Sequence, residues 1–262
     1  MKHDSVTFTL SQEEVFFLLN QVEAQSLQGV DVVPPGVIDE DQRQLVLAAA
    51  ERALQARGII VTGDDAELRI DATVRATIHA SAFAPSTLTA LVRKSGERQI
   101  ATYTVYHAEP LWVAHTQPAP GLHQFELSPS SPAVLARLGQ LLGVDKQLAP
   151  PAAPFTIDPF ELDQITAAVA TETQPLHETL IDAGAEPATA GLFADLLKGP
   201  REAALIQMID RRGDTEDTRT ATFMRNQQGF WILEPASPSQ LNCRPASAED
   251  VRRSLAGMTE QL

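Results

Sequence analysis

The chain has 262 residues, and its hydrophobic fraction of 44% is enough for the core of one large domain or of two small ones. Its net charge of −14 excludes nucleic acids and anionic membrane surfaces as partners, because both are bound by clustered lysine and arginine side chains. The single cysteine excludes an internal disulfide and a cysteine-based zinc site. The sequence contains no run of about 18 apolar residues, the length that a membrane-spanning helix needs.

The first segment, MKHDSVTFTLSQEEVFF, places acidic residues beside its apolar positions. A secretory signal needs a basic start, an uninterrupted apolar stretch and a small-residue cleavage site, and the segment lacks this arrangement. We therefore expect a cytoplasmic protein that does not bind membranes.

The first half begins with helices. Ser11 and Glu14 have the spacing of a capping box, and apolar residues then recur at helical intervals, which predicts a helix over 11–28. A second helix is predicted over 39–57, because a glycine well placed for a C-cap follows it and a short apolar strand comes next. Residues 67–82 have the pattern of a third helix or of a strand followed by a helix.

From residue 86 the hydrophobic period becomes that of strands, and turn residues interrupt it at short distances. This pattern predicts a four-stranded antiparallel meander and a helix over 131–142. After a Pro/Ala linker at 147–154, the plan returns with helices, four strands and a closing helix. The predicted strands are 86–94, 99–107, 111–117, 121–127, 203–210, 219–225, 229–234 and 240–244, and the helices of the second half are 158–183, 187–198 and 247–259.

The two halves also share short stretches of sequence. Ala101–Tyr103 aligns with Ala221–Phe223, and the two tryptophans, Trp112 and Trp231, fall on equivalent places. Two copies with a long period indicate a pseudo-symmetric fold rather than a stacked solenoid. Each meander has an apolar face that must be covered, which favours joining the two meanders.

We therefore predict an internally duplicated α+β fold, in which the meanders join across a pseudo-twofold axis into a central antiparallel sheet flanked by two helical bundles. The N-terminal half spans 1–146, the linker 147–154 and the C-terminal half 155–262, all within one integrated domain. The second half is predicted to be shorter because it has no clear equivalent of the helix at 42–58.

Sequence motifs of catalysis are missing. The chain has no GxSxG, HExxH, GxxxxGK[ST] or GxGxxG motif, and its paired carboxylates lie at a helix start or in polar turns. A catalytic thiol needs a positioned base and an electropositive setting, so Cys243, in a predicted strand, fits a small buried residue better. We predict that the protein is not an enzyme and that it needs no cofactor.

Three histidines leave an alternative open. His107, His115 and His123 recur every eight residues, and a hairpin turn at 118–120 would make the last two cross-strand neighbours. Two imidazoles at that distance can share a metal ion, with Glu126 as a further ligand. Two ligands on an exposed sheet face do not make a dedicated site, however, so the favoured interpretation is surface or interface histidines without a metal.

A partner surface is predicted on helix 187–198. The helix carries an apolar stripe, and with one helix fewer in this half the stripe should form an incompletely covered groove for a partner's helix. The alternative is that helix 158–183 and the closing helix cover the stripe, which would make it core. The stripe consists of Leu192, Phe193, Leu196 and Leu197.

Three short phrases and the order of the elements have counterparts in a known family. The phrases are FTLSQEE at 8–14, AAERALQARG at 49–58 and GFWILEP at 229–235, with an amphipathic helix closing the chain. With these, nearly the whole chain resembles the EspG family of type VII (ESX) secretion. The resemblance implies a pseudo-twofold α+β fold with a central sheet and two helical bundles.

The same resemblance implies a cytosolic chaperone that binds the apolar tip of a helical hairpin, chiefly through its C-terminal half, and keeps a secretion substrate soluble. No binding residue carries over, because no binding motif matches position by position. The leading hypothesis is therefore a non-enzymatic chaperone or adaptor for a helical substrate protein of WXG-type or PPE-like kind. The alternative is a metal-dependent enzyme or metal-binding module on the His115/His123 hairpin, and a third hypothesis is a structural or regulatory homodimer.

Overall fold

The structure is a computed structural model that describes residues 6–30, 32, 39–63, 67–128, 130–144, 149–171, 176–213 and 215–260. Its strands are β1 (Val6–Ser11), β2 (Ile60–Thr62), β3 (Leu68–Ile70), β4 (Ser86–Arg93), β5 (Ala101–Ala108), β6 (Leu111–Ala119), β7 (Leu122–Ser128), β8 (Phe155–Ile157), β9 (Glu202–Asp210), β10 (Asp217–Asn226), β11 (Gly229–Ser237) and β12 (Gln240–Ala246). Its helices are α1 (Gln12–Gln21), α2 (Glu40–Ala56), α3 (Ala72–Phe83), α4 (Ser131–Leu141), α5 (Pro159–Thr171), α6 (Leu176–Asp182), α7 (Pro187–Lys198) and α8 (Ala248–Thr259). Among the residues so described, no helix is both long and apolar enough to cross a membrane.

Ten of the described strands form one antiparallel sheet in the order β1-β7-β6-β5-β4-β9-β10-β11-β12-β8. The two meanders meet at the pair of β4 and β9, where Leu88 is opposite Met208. The prediction that both meanders contribute to a single sheet is confirmed. The linker predicted at 147–154 lies partly outside the described residues, and β2 and β3 form a separate hairpin.

Helices cover both faces of the sheet. On one face, α4 and α8 pack over the junction of the meanders, and their core joins residues from both halves, such as Leu88, Leu138 and Leu255. On the other face, α1, α2 and α3 cover the first meander, and α5, α6 and α7 cover the second. The predicted α+β fold, with a central antiparallel sheet and two helical bundles, is confirmed.

Capping side chains fix the starts of three helices. Ser11, Asp39 and Ser247 each accept a hydrogen bond from the backbone N–H three residues on, and the side chain at that third position reciprocates. The capping box predicted for Ser11 is therefore present. The helix that it starts is shorter than the predicted 11–28 and ends at Gln21, because the chain turns at Glu23, whose φ is 58°.

An ion pair ties α1 to the end of α2. Glu14 is 5% exposed, and its two carboxylate oxygens accept hydrogen bonds from Nη1 of Arg57 at 2.8 and 2.7 Å. The same carboxylate accepts the backbone N–H of Ser11, and Arg57 also donates to the carbonyl of Thr9 in β1. One arginine therefore holds the edge strand and two helices of the first bundle together.

Arg57→Met should lower the free energy of unfolding by about 2 kcal/mol, because the buried carboxylate of Glu14 would lose its charged partner. Urea denaturation followed by circular dichroism measures this change. Arg52→Met, at an exposed position one turn earlier on α2, is the matched control and should change stability by about 0.5 kcal/mol or less. Equal losses in the two variants would contradict the prediction.

The helical part of the second half differs from the prediction. The helix predicted over 158–183 is present as α5 and α6, so three helices precede the meander in each half of the described chain. The prediction that the second half lacks an equivalent of the 42–58 helix is corrected: in chain order α6 takes the place of α2, with 7 residues against 17. The short α6 and the hairpin of β2 and β3, found only in the described first half, both contribute to the difference in length.

The predicted equivalence of the two tryptophans is wrong. A twofold axis that relates two adjacent antiparallel strands is perpendicular to the sheet, so it keeps every residue on its own face. Trp112 packs against the core under α4 and α8, whereas Trp231 lies on the other face beside Phe193. Val113, the neighbour of Trp112 on β6, lies on the face of Trp231 instead and is buried beneath the first bundle.

Candidate functional site

Part of the sheet lies open between the two helical bundles. Along β4 and β9, alternate residues point away from α4 and α8, toward the space between the bundles. Leu205 and Gln207 are exposed there, and Thr89 and Leu91 are partly exposed. We call this surface the interbundle groove, and its floor consists of Thr87, Thr89, Leu91, Arg93, Leu205, Gln207 and Ile209.

The groove contains a cleft of about 390 Å³, and one end of it is closed by the segment that follows α1. The carboxamide oxygen of Gln28 accepts hydrogen bonds from the Thr87 hydroxyl at 2.7 Å and from Nη1 of Arg211 at 2.9 Å. Gly29 lies beside Thr89 of the groove floor and has a φ of 69°, a backbone conformation that favours glycine. Arg211 is paired with Glu216 as well, at 2.9 Å.

Strand register arranges the groove floor in rows. Thr89 lies opposite both Thr104 and Gln207, which makes a polar row. Leu91 lies opposite Leu205, which makes an apolar row two residues further along the strands. The groove therefore offers hydrogen-bonding groups and exposed apolar surface side by side, which is typical of a protein-binding surface.

The other end of the groove is basic. Arg93 lies two residues beyond Leu91 on β4, and Ala203 is opposite it on β9. Arg201 precedes Ala203 by two residues, so the two arginines are diagonal neighbours on adjacent segments of the chain. Arg201 donates a hydrogen bond to the carbonyl of Leu197 at the end of α7. Burial lowers the pKa of Arg201, and the positive charge of Arg93 lowers it further. In the described parts of the chain, no carboxylate forms an ion pair with either arginine.

Two of the predicted histidines form a buried pair beside the polar row. Nε2 of His115 lies 2.9 Å from Nδ1 of His123, and the two side chains are 2% and 1% exposed. They are neighbours as predicted, although the residue directly opposite His115 is Phe125. The prediction of surface histidines on an exposed sheet face is wrong for this pair, because the first helical bundle covers that face.

The surroundings of the pair do not resemble a metal centre. Glu126 lies opposite Ala114, whose side chain belongs to the core under α4 and α8, so Glu126 is on the other face of the sheet. His107 is also separate, because its ring stacks on Trp112 with a centroid distance of 4.2 Å. The described residues bring no three potential metal ligands together.

Burial sets the protonation of the pair. Burial lowers the pKa of His115 to about 3, with a smaller contribution from His123, and burial also lowers the pKa of His123. Both imidazoles are therefore neutral at pH 7. Nδ1 of His115 and the hydroxyl of Thr104 opposite it have no protein hydrogen-bond partner in the described chain.

The predicted α7 stripe is mostly core. Phe193, Leu196 and Leu197 are each 1% exposed or less, and they pack with α5, α6 and the strand that carries Trp231. Only Leu192 is partly exposed. These three side chains therefore fit the alternative prediction, in which neighbouring elements cover the stripe. The closing helix α8 takes no part in this cover, because it lies on the other face of the sheet.

Cys243 belongs to the same core and is fully buried. Burial raises the pKa of its thiol to about 12, so the reactive thiolate is not formed at neutral pH. This is the chemistry of a packing residue, as the sequence predicted.

The groove residues were missed by the sequence analysis. One signal for them exists: β9 reads Glu-Ala-Ala-Leu-Ile-Gln-Met-Ile-Asp and has apolar residues on both faces, Ile206 and Met208 on one, Leu205 and Ile209 on the other. A strand of this kind must be covered on both sides. In the structure one of its sides is left partly open.

No family model matches the sequence, and a comparison with curated proteins finds no match. Among solved structures, the chain is similar to the Mycobacterium tuberculosis type VII secretion system chaperone EspG5, whose structure was determined in complex with the PE25–PPE41 dimer. The TM-score is 0.72 at 14% sequence identity, and the alignment covers 98% of this chain and 97% of that chain. At this identity the similarity shows the fold, and the resemblance to EspG predicted from the sequence is confirmed at that level.

Proposed function

We propose that the protein is a non-enzymatic, cytoplasmic chaperone of type VII secretion, which binds a helical substrate protein of PPE-like kind and keeps it soluble. The observation that carries the proposal is the fold shared over 98% of the chain with EspG5, a chaperone found in complex with a PE–PPE dimer. The burial of Cys243 and of the histidine pair in hydrophobic cores supports a binding role rather than catalysis.

The interbundle groove is the surface that we assign to the substrate. A folded chain gains by burying apolar side chains, so Leu205, 40% exposed and next to the partly exposed Leu91, is better explained by a partner than by the fold alone. The two bundles form walls on either side of the apolar row, and the polar row beside it can satisfy backbone groups left free at the end of a helix. The tip of a helical hairpin has both kinds of surface.

Leu205→Glu should weaken binding of the helical substrate at least about 100-fold, because it puts a charged side chain in the apolar row, where an apolar side chain of the substrate would have to pack. The side chain is exposed in the free protein, so the melting temperature should stay within about 2 °C of the wild type. Co-purification and calorimetry with a panel of PE–PPE dimers, PE25–PPE41 among them, measure binding, and thermal unfolding measures stability.

Leu45→Glu is the matched control, because Leu45 is 70% exposed on α2 and does not line the groove. It should bind like the wild type. Wild-type affinity in Leu205→Glu would move the binding surface elsewhere on the chain, and failure of the wild type to bind any dimer of the panel would overturn the proposed function.

A further inference from the structure

We propose that the basic end of the interbundle groove binds an acidic side chain of the helical substrate, with Arg93 and Arg201 as the residues that pair with it. The inference rests on the proposed function and specifies the chemistry of the partner. It assigns a charged contact next to the apolar one.

The two arginines lie close enough to interact, and in the described part of the chain neither forms an ion pair with a carboxylate. Arg93 is exposed, Arg201 is partly buried, and the residue between them on the groove floor is Ala203, which is too small to separate the two guanidinium groups. The nearest carboxylate in the sequence, that of Glu202, points to the other face and is paired with Arg225 at 2.7 Å. Among the described residues, no carboxylate therefore neutralises either guanidinium group, and the partner of Arg201 is the uncharged carbonyl of Leu197.

Such an arrangement is unfavourable in the free chain. Like charges repel each other, and the partial burial of Arg201 weakens its hydration. The Nε atom of Arg201 is buried and has no hydrogen-bond partner in the described chain, so the hydrogen-bonding capacity of this guanidinium group is not fully satisfied. In a protein of net charge −14, a local basic site also directs the acidic part of a substrate to one end of the groove.

The spacing of the groove defines what the substrate must present. Arg93 is two residues beyond Leu91 on the same face of β4, a separation of about 7 Å. Four residues of a helix advance by about 6 Å. A substrate helix with an apolar residue and an acidic residue three or four positions apart would therefore contact the apolar row and the arginines together.

The double variant Arg93→Gln/Arg201→Gln tests the pairing with the PE–PPE dimer that binds the wild type. We expect binding to be at least about tenfold weaker at low salt, and the difference to shrink at about 500 mM salt, where exposed charges are screened. Arg98→Gln, in the exposed turn before β5, is the control and should bind like the wild type. Equal affinities of the double variant and the wild type at low salt would overturn the inference and leave the proposed function standing.

A second measurement does not need the dimer. A triglutamate peptide in excess should raise the melting temperature of the wild-type chain by about 2 °C, since it binds the folded state only, and should not raise that of the double variant. Equal shifts in both proteins, or no shift in either, would overturn the inference. If the wild type responds to triglutamate but binds no dimer, the arginine site stands and the proposed function fails.

Discussion

Phe193→Ala should lower the free energy of unfolding by about 4 kcal/mol, because it removes a large side chain from the closed core of the second bundle. Phe193 is fully buried on α7, and its ring meets Trp231 edge-to-face at a centroid distance of 4.9 Å and Phe155 at 5.2 Å. The surrounding helices cannot collapse into the space without moving away from the sheet. Urea denaturation with tryptophan fluorescence, to which the buried Trp231 contributes, measures the loss.

Leu192→Ala separates the two interpretations of the stripe. Leu192 precedes Phe193 on α7 and is partly exposed, so its truncation should reduce stability by about 1 kcal/mol or less. Leu192 is also the member of the predicted stripe that a substrate could reach. A Phe193→Ala variant of near wild-type stability that failed to bind substrate would contradict the structure and restore the stripe as a binding surface.

Local patterns were sufficient to predict most of the sheet. The alternation of apolar residues from Ser86 onward, and the turn residues between the strands, specify two antiparallel meanders without reference to anything distant in the chain. The joining of the two meanders was predictable because a meander whose apolar face is uncovered needs another structural element beside it. The pair of β4 and β9 provides it, with eight residue pairs from Ser86–Asp210 to Arg93–Ala203.

The register of the repeat could not be predicted in the same way. A strand has a period of two, so a shift of one residue moves a side chain to the opposite face. Aligning Trp112 with Trp231 is such a shift. The alignment pairs two identical residues, but Val113, one position later, is the residue that lies on the face of Trp231. Which residues face each other across a hairpin depends on the geometry of the turn and on bulges, such as the irregularity between Thr116 and Ala119, and these are tertiary features.

The candidate site was hidden for a related reason. The exposure of Leu205 depends on the distance between the two helical bundles, which no local pattern encodes. The stripe on α7 showed correct helical periodicity, but periodicity marks a side that is buried against something and does not tell a core from a partner. The same limit applies to His115: its polar character suggested a surface, whereas helices distant in sequence cover it.

The burial of His115 should make the protein sensitive to acid. In the folded chain burial lowers the pKa of His115 to about 3, against 6.5 for the exposed side chain. The unfolded state therefore binds a proton that the folded state rejects, and the stability carried by the neutral imidazole is complete above pH 6.5. As the pH falls from 6.5 toward 3, this contribution should be lost at about 1.4 kcal/mol per pH unit. The lowered pKa of His123 acts in the same direction.

His115→Phe tests this origin of the pH dependence. Phenylalanine keeps an aromatic ring against Phe125 and cannot bind a proton, so the slope of stability against pH between 6.5 and 4 should fall by about one proton equivalent relative to the wild type. Urea denaturation at a series of pH values gives each slope, and comparing the two slopes cancels the titration of carboxylates common to both proteins. An unchanged slope in His115→Phe would show that His115 does not carry the acid sensitivity.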